Sequence, residues 1–240
     1  MSAEGAKILA LVPAYNEGAR VAAVVRGARA YLPVLVVDDG SKDDTAAHAE
    51  GAGAEVLRQT PNQGKGAALR AGFRHAIDAG YDAVLTADAD GQHDPDEIPG
   101  FLKRHAETSA DLIIGARDFS QMPPIRRFAN TVGRWCFSWA LGRPVRDNQS
   151  GYRLISRRLM EAMLQSSEHG FEFEVEMIVD CVRRGFGLEW VPIRTIYAGE
   201  TSHIDKSHHV KHFFRVVWQT RRATRTARRP ADPPRPRTKA

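Results

Sequence analysis

In the first half of the chain, short runs of β-branched and other apolar residues alternate with longer stretches whose apolar positions recur at helical spacing. The runs Ile8–Val12, Val34–Val37, Glu55–Leu57, Ala83–Thr86 and Leu112–Ile114 predict strands. Between them, Gly18–Tyr31, Asp43–Gly51, Gly64–Ala79 and Pro95–Ala106 predict helices. Strands joined by crossover helices build a mainly parallel central sheet flanked by helices, an α/β fold. Beyond Ile114 the rhythm loosens into a helical stretch over Ile125–Leu141, a strand at Tyr152–Ile155 and a helix over Glu174–Arg184. Two extended pieces follow, Leu188–Val191 and Arg194–Tyr197. Glu172, Glu174 and Glu176 alternate with Phe171, Phe173 and Val175 and read as one polar face.

With 240 residues, 42% of them hydrophobic and 26% charged, the chain can bury a full core, which excludes disorder throughout. Ile8–Val12, ending at Pro13, is too short for a bilayer span or a signal-peptide core, so a cytoplasmic chain without a membrane anchor is expected. Two cysteines, Cys136 and Cys181, fit buried free thiols. The net charge of +5 conceals a division, because residues 206–240 hold eleven Lys and Arg against Asp232 alone, leaving −5 on residues 1–205. Three segments are therefore expected: a catalytic domain over 1–205, a basic amphipathic helix over 206–229, and a disordered Pro/Arg tail over 230–240.

In an open α/β sheet, ligands bind at the carboxyl ends of the strands. Here the first strand runs into Pro13-Ala14-Tyr15-Asn16-Glu17, the second into Asp38-Asp39-Gly40-Ser41, and the fourth into Asp88-Ala89-Asp90-Gly91-Gln92-His93. With Asp43, six carboxylates gather at one sheet edge, and like charges so placed need a cation or hydrogen-bond donors to offset them. Asp88 and Asp90, which bracket one residue, suit Mg2+ or Mn2+, with Gln92 and His93 completing or supporting the set and substrate phosphates filling the open positions. A dinucleotide fingerprint is excluded because no Gly-x-Gly-x-x-Gly follows the first strand. A P-loop is excluded because Gln59 and Gly66 stand where glycine and a hydroxyl are needed, although Gly64-Lys65-Gly66 still opens a helix toward a diphosphate.

Six segments in order, Val12–Glu17, Val36–Ser41, Asn62–Gly66, Asp88–His93, Gly115–Arg117 and Asp147–Arg153, make the chain resemble family-2 glycosyltransferases of the GT-A fold. The closest likeness is to the dolichol-phosphate (polyprenyl-phosphate) mannose synthase branch. That resemblance implies inverting transfer of a hexose from a GDP- or UDP-linked donor. It sets Pro13, Ala14, Tyr15, Glu17 and Asp39 against base and ribose, with Lys65, Asp88 and Ala89 also on the nucleotide. Asp88, Asp90 and Gln92 would gather the metal and the diphosphate. Arg117 and Arg127 are expected at the developing phosphate charge, and Arg126, Ser150, Arg153 and Ser202 around the acceptor.

The acceptor decides the role of Asp147. A sugar hydroxyl needs a general base, and Asp147 would be that base; a polyprenyl phosphate is already an anion, and Asp147 would then orient Arg and Ser150. Val210, Phe213, Phe214, Val217 and Trp218 form a helical stripe among basic residues, fitting either an anionic membrane surface or packing on the body. The expected placement is peripheral, at the inner face of the membrane, with a lipid phosphate acceptor. Nucleic acid is not expected as a partner, since the acidic cleft would repel phosphate chains.

Overall fold

The computed structural model describes residues 5–118, 124–165 and 172–194 together with 217, 218 and 221; the side chains of 124–130 and 172 are not described. In chain order the elements are β1 (Ile8–Ala14), α1 (Val21–Arg29), β2 (Val34–Asp38), α2 (Thr45–Gly51), β3 (Glu55–Arg58), α3 (Lys65–Asp78) and β4 (Ala83–Thr86). A 3-10 turn at Pro95–Glu97 leads into α4 (Ile98–Thr108) and β5 (Leu112–Arg117). Then come α5 (Pro124–Leu141), β6 (Arg153–Ser156), α6 (Arg157–Met163), α7 (Glu172–Arg183) and β7 (Leu188–Ile193).

Among the described residues the strands form one sheet in the order β3-β2-β1-β4-β6-β5-β7. All neighbours are parallel except β6, which runs antiparallel to both β4 and β5. The central strands read as continuous apolar runs because helices cover both faces. Leu9, Leu11, Leu35 and Val37 face one buried cluster with Phe73, while Ala10, Val12, Val34 and Val36 face the other with Val25.

Several boundaries differ from the sequence expectation. The chain enters α1 only at Val21, because Gly18–Arg20 form a turn in which the Glu17 carbonyl accepts from the N–H groups of Arg20 and Val21. The helix α6 was not expected; Ser156 caps it, its Oγ accepting from Leu159 N at 3.3 Å. The final strand extends to Ile193 rather than Val191, Arg194 lies outside it, and 195–197 fall outside the described residues. Cys181 is buried and free, with its thiol pushed up to about 12 by burial; Cys136 is half-buried and free.

Within the expected C-terminal stripe, Val210, Phe213 and Phe214 lie outside the described residues. Val217 is buried in the main core cluster while Trp218 faces solvent. The two therefore do not share one interfacial face.

Asp111 ties the second half together. Its carboxylate accepts from Ser156 Oγ at 2.9 Å, Arg158 Nε at 3.0 Å and Gly187 N at 2.9 Å, joining the start of β5, the end of β6 and the entry to β7. Burial pushes its pKa up, but the Arg158 guanidinium and the Gly187 and Ser156 donors outweigh it, so the folded pKa lies below the ordinary carboxylate value. The stabilisation is then present above that ordinary value and is lost as pH falls through the folded pKa. Asp111→Ala should lower stability by about 2 kcal/mol, since the charge-assisted bonds from Ser156, Arg158 and Gly187 are lost together. Urea melts should show that deficit at pH 7 and its shrinkage between about pH 4 and pH 2.

Candidate functional site

The sheet has a switch point beside β1, because β2 lies on one side of it and β4 on the other. Connections leaving neighbouring strands in opposite directions open a crevice at their carboxyl ends. A cleft of about 400 Å3 occupies that crevice, lined by Pro13, Ala14, Tyr15 and Glu17 after β1, Asp39 after β2, Asn62, Gly64, Lys65 and Ala68 at α3, and Asp88, Ala89 and Asp90 after β4. That size suits a nucleotide-sized ligand. Every nucleotide-contacting residue expected from the sequence lies on this lining.

Local bonding fixes the walls. Asp39 accepts from Gln63 N at 2.9 Å and from Gly64 N at 2.7 Å, so the loop entering α3 is held beside β2. Gly40 has φ +76°, and a Cβ there would meet Asn62 N at 2.9 Å, so this crossing requires glycine. Glu17 N donates to Thr45 Oγ1 at 2.8 Å and Gly18 N to Asp43 at 3.0 Å, which pins the β1 loop to α2. The opening of α3 against the cleft brings the positive end of its dipole to the lining.

Lys65 Nζ lies 2.5 Å from Asp88 Oδ1 and 3.0 Å from Glu174 Oε1. Burial pushes the Asp88 carboxyl up, yet the Lys65 charge beside it pulls it down to about 2. Lys65 is held above the ordinary lysine value, since the attraction of Asp88 and Glu174 outweighs burial. His93 accepts from Asp88 N at its Nδ1, 3.0 Å away, and stacks on Tyr152 with ring centroids 4.7 Å apart. Burial keeps this imidazole below the ordinary histidine value, which suits its role as acceptor. Asp90 accepts from Gln92 N at 3.0 Å.

The antiparallel β6 starts at the edge where β4 and β5 end, and so delivers 147–151 to the cleft mouth. Asp147, 1% exposed, holds Arg117 through Nε at 2.7 Å and Nη2 at 3.0 Å and also accepts from the backbone of Gln149 and Ser150. Arg153, expected at the acceptor phosphate, is also 1% exposed. Its guanidinium donates to the carbonyls of Ser150, Glu174 and Asn148, bracing the segment from inside. Ser150 is buried as well. Arg126 and Arg127 lie on α5 with side chains outside the described set, and Ser202 lies outside the described residues. Glu174, read as part of a polar face, is instead buried at 3% exposure on Lys65. No local signal marked it, because only Lys65 arriving from α3 shows the carboxylate to be inside.

The model of the family described as glycosyl transferase family 2 matches residues 10–162. The chain belongs to that family. An undecaprenyl-phosphate mannosyltransferase of Micrococcus luteus is 34% identical over 205 residues, covering 78% of this chain and 82% of that one. A polyprenol monophosphomannose synthase of Mycolicibacterium smegmatis is 32% identical over 210 residues, covering 78% and 76%. The fold matches the glucosyl-3-phosphoglycerate synthase of Mycobacterium tuberculosis bound to UDP, with TM-score 0.71 at 20% identity over 90% of this chain and 80% of that one. The protein is thus a glycosyltransferase with the GT-A fold.

In this glycosyltransferase Gly151 sets how closely β6 approaches the Asp88 and Lys65 wall of the cleft. A Cβ at 151 would lie 2.7 Å from Asp88 Oδ2 and 3.0 Å from Lys65 Nζ. Gly151→Ala should push aside the ends of the Asp88 and Lys65 side chains at little cost to the fold, and so weaken UDP or GDP binding. Calorimetric titration checks this; unchanged affinity would remove the Asp88–Lys65 pair from donor binding.

Proposed function

We propose that the enzyme transfers a hexose, with inversion, from a nucleoside-diphosphate sugar to a polyprenyl phosphate. The observation that carries the acceptor reading is the state of Asp147. A general base must be able to reach the acceptor proton, whereas Asp147 is buried and bound in bidentate fashion to Arg117. A phosphate monoester, with a second pKa near about 6, attacks as an anion and needs no base, while it does need a fixed cation such as Arg117. The named acceptors of the Micrococcus and Mycolicibacterium relatives support the same reading.

For the donor side, Asp88 and Asp90 would hold Mg2+ or Mn2+, with Gln92 beside them. The donor set fits a hard cation: the two carboxylates on the cleft lining are oxygen ligands and leave positions for diphosphate oxygens. Such an ion stabilises the charge that develops on the departing diphosphate. Solved relatives of the same fold carry Mn2+ or Mg2+ with UDP. Lys65 and the opening of α3 add fixed positive potential on the same wall.

A lipid phosphate requires a surface. On α5, Trp135 and Trp139, 70% and 59% exposed, share a face with the exposed Val132. Arg221 lies over the Trp139 ring at 4.7 Å and donates to its carbonyl at 3.1 Å. Exposed tryptophans beside basic residues suit the bilayer interface, and each Lys or Arg near an anionic surface contributes about 1 kcal/mol. No helix among the described residues is long and apolar enough to span a membrane.

Two experiments test the reading. With polyprenyl phosphate and Mn2+, Asp90→Asn should cost on the order of tenfold to a hundredfold or more in rate, and excess EDTA should abolish turnover. Asp147→Asn should cost only about tenfold, short of the roughly hundredfold to ten-thousandfold of a lost base, with an unchanged pH–rate profile. A profile that loses its acidic limb would turn the assignment to a hydroxyl acceptor. In vesicle sedimentation at low salt, full-length protein should pellet with anionic lipid. Truncation after Arg222, which removes six Lys and Arg but keeps the Val217 and Arg221 contacts, should reduce pelleting. Failure of the full chain to pellet would defeat the membrane placement.

A further inference from the structure

Four elements meet around one ammonium. Lys65 opens α3, Asp88 follows β4, Gly151 leads into β6 and Glu174 lies on α7. Lys65 Nζ stands between the two carboxylates, 2.5 Å from Asp88 Oδ1 and 3.0 Å from Glu174 Oε1. Gly151 presents no side chain where one would crowd both Asp88 and Nζ. Among the described residues, Glu174 Oε2 is buried and has no hydrogen-bond partner.

An unmatched buried carboxylate oxygen is unfavourable unless another state of the protein uses it. The ammonium beside it has three donors and a flexible four-carbon stem, so a small swing brings a donor to Oε2. Asp88 is also wanted by a second cation. We propose that Lys65 is the resident counter-cation of Asp88, and that Glu174 receives the ammonium when a divalent ion claims that carboxylate. The proposal rests on the reading that the ion is held at Asp88 and Asp90. In the exchange no buried charge is stranded: Asp88 passes from ammonium to metal, and Lys65 keeps Glu174 with both oxygens matched while staying on the diphosphate wall. Glu174 is thus a positioning residue, acting through Lys65.

The two partners then have opposite effects on the bare ion. Removing the lysine removes a competitor, whereas removing the glutamate charge takes away the place to which the competitor retreats. Mn2+ binding to the full chain, followed by the loss of the free-ion EPR signal, reads this without turnover. Lys65→Met should tighten Mn2+ binding in the absence of nucleotide by at least about threefold, and Glu174→Gln should weaken it by a similar factor. Lys65→Met should also weaken UDP or GDP binding in the presence of Mn2+, because the diphosphate loses a cation. Glu174→Asp, which keeps the charge, should recover most of the Mn2+ affinity.

A purely structural role would make both substitutions weaken Mn2+ together, and that result, or no change in Lys65→Met, overturns the exchange. Melting temperature confirms that each variant is folded; should Lys65→Met unfold, Lys65→Gln carries the same expected sign. If the wild-type chain binds no Mn2+ with or without UDP or GDP, the metal site itself is lost. Wild-type binding with same-sign responses overturns only the exchange.

Discussion

Six carboxylates at the ends of three neighbouring strands would drive that edge of the sheet apart, and the local structure of the first half meets this constraint. Asp38 accepts from Ser41 N, Asp39 from Gln63 and Gly64, Asp43 from Gly18 and Thr45, and Asp90 from Gln92. Glu17 pairs with Arg20 and Asp88 with Lys65. Backbone donors supply most of this compensation, so the loops are fixed by the same bonds that make the acidic edge tolerable. A cleft built this way is rigid before any ligand arrives, and its negative charge remains available to a cation. Asp88 is matched by the side chain of Lys65 from a different element, which can move where a backbone N–H cannot.

The antiparallel β6 performs the second task. A parallel strand between β4 and β5 would deliver its carboxyl end to the cleft and its amino end to the far side. Reversing it places the segment before Arg153 at the mouth instead, and Asp147 there can hold Arg117 from the end of β5. Arg153 closes the arrangement from inside by donating to three carbonyls. A buried guanidinium is tolerated because its donors are used and Glu174, Asp147 and Asp88 lie near enough to favour its charge.

The sheet and the acidic loops at its edge were legible in the sequence because they depend on neighbours in the chain. A β-rich run followed by acidic, glycine-bearing loops identifies a strand end wherever the strand sits, and so β1 to β5 could be read directly, whereas the contacts of single residues with a nucleotide came only from the family resemblance. The expected role of Arg153 could not be separated from burial, since a motif arginine looks the same whether it meets phosphate or carbonyls. Glu174 went unread for a related reason: alternation with Phe173 and Val175 mimics a solvated face, and only the arrival of Lys65 from α3 shows the carboxylate to be inside. Val217 and Trp218 show the limit of a periodic stripe, which fixes the spacing of apolar positions but not which of them the body covers. The missed α6 carried a cap signal at Ser156, obscured because the strand before it ends on that same residue.

The two halves of the cleft also differ in how they can treat an anion. On the β1–β4 side the walls are acidic, and a diphosphate is accommodated there only with a cation between, apart from Lys65 and the opening of α3. On the β5–β6 side the charged group at the mouth is Arg117, oriented by a carboxylate that is itself turned inward. Under the proposed reaction, the acceptor anion would be favoured on the Arg117 side, apart from the donor diphosphate. The segment that begins after Arg117 continues into α5, whose exposed tryptophans lie on the same stretch of chain that returns to Asp147. An acceptor held at that aromatic surface would enter from the Arg117 side, so that the antiparallel strand divides the donor electrostatics from the acceptor electrostatics.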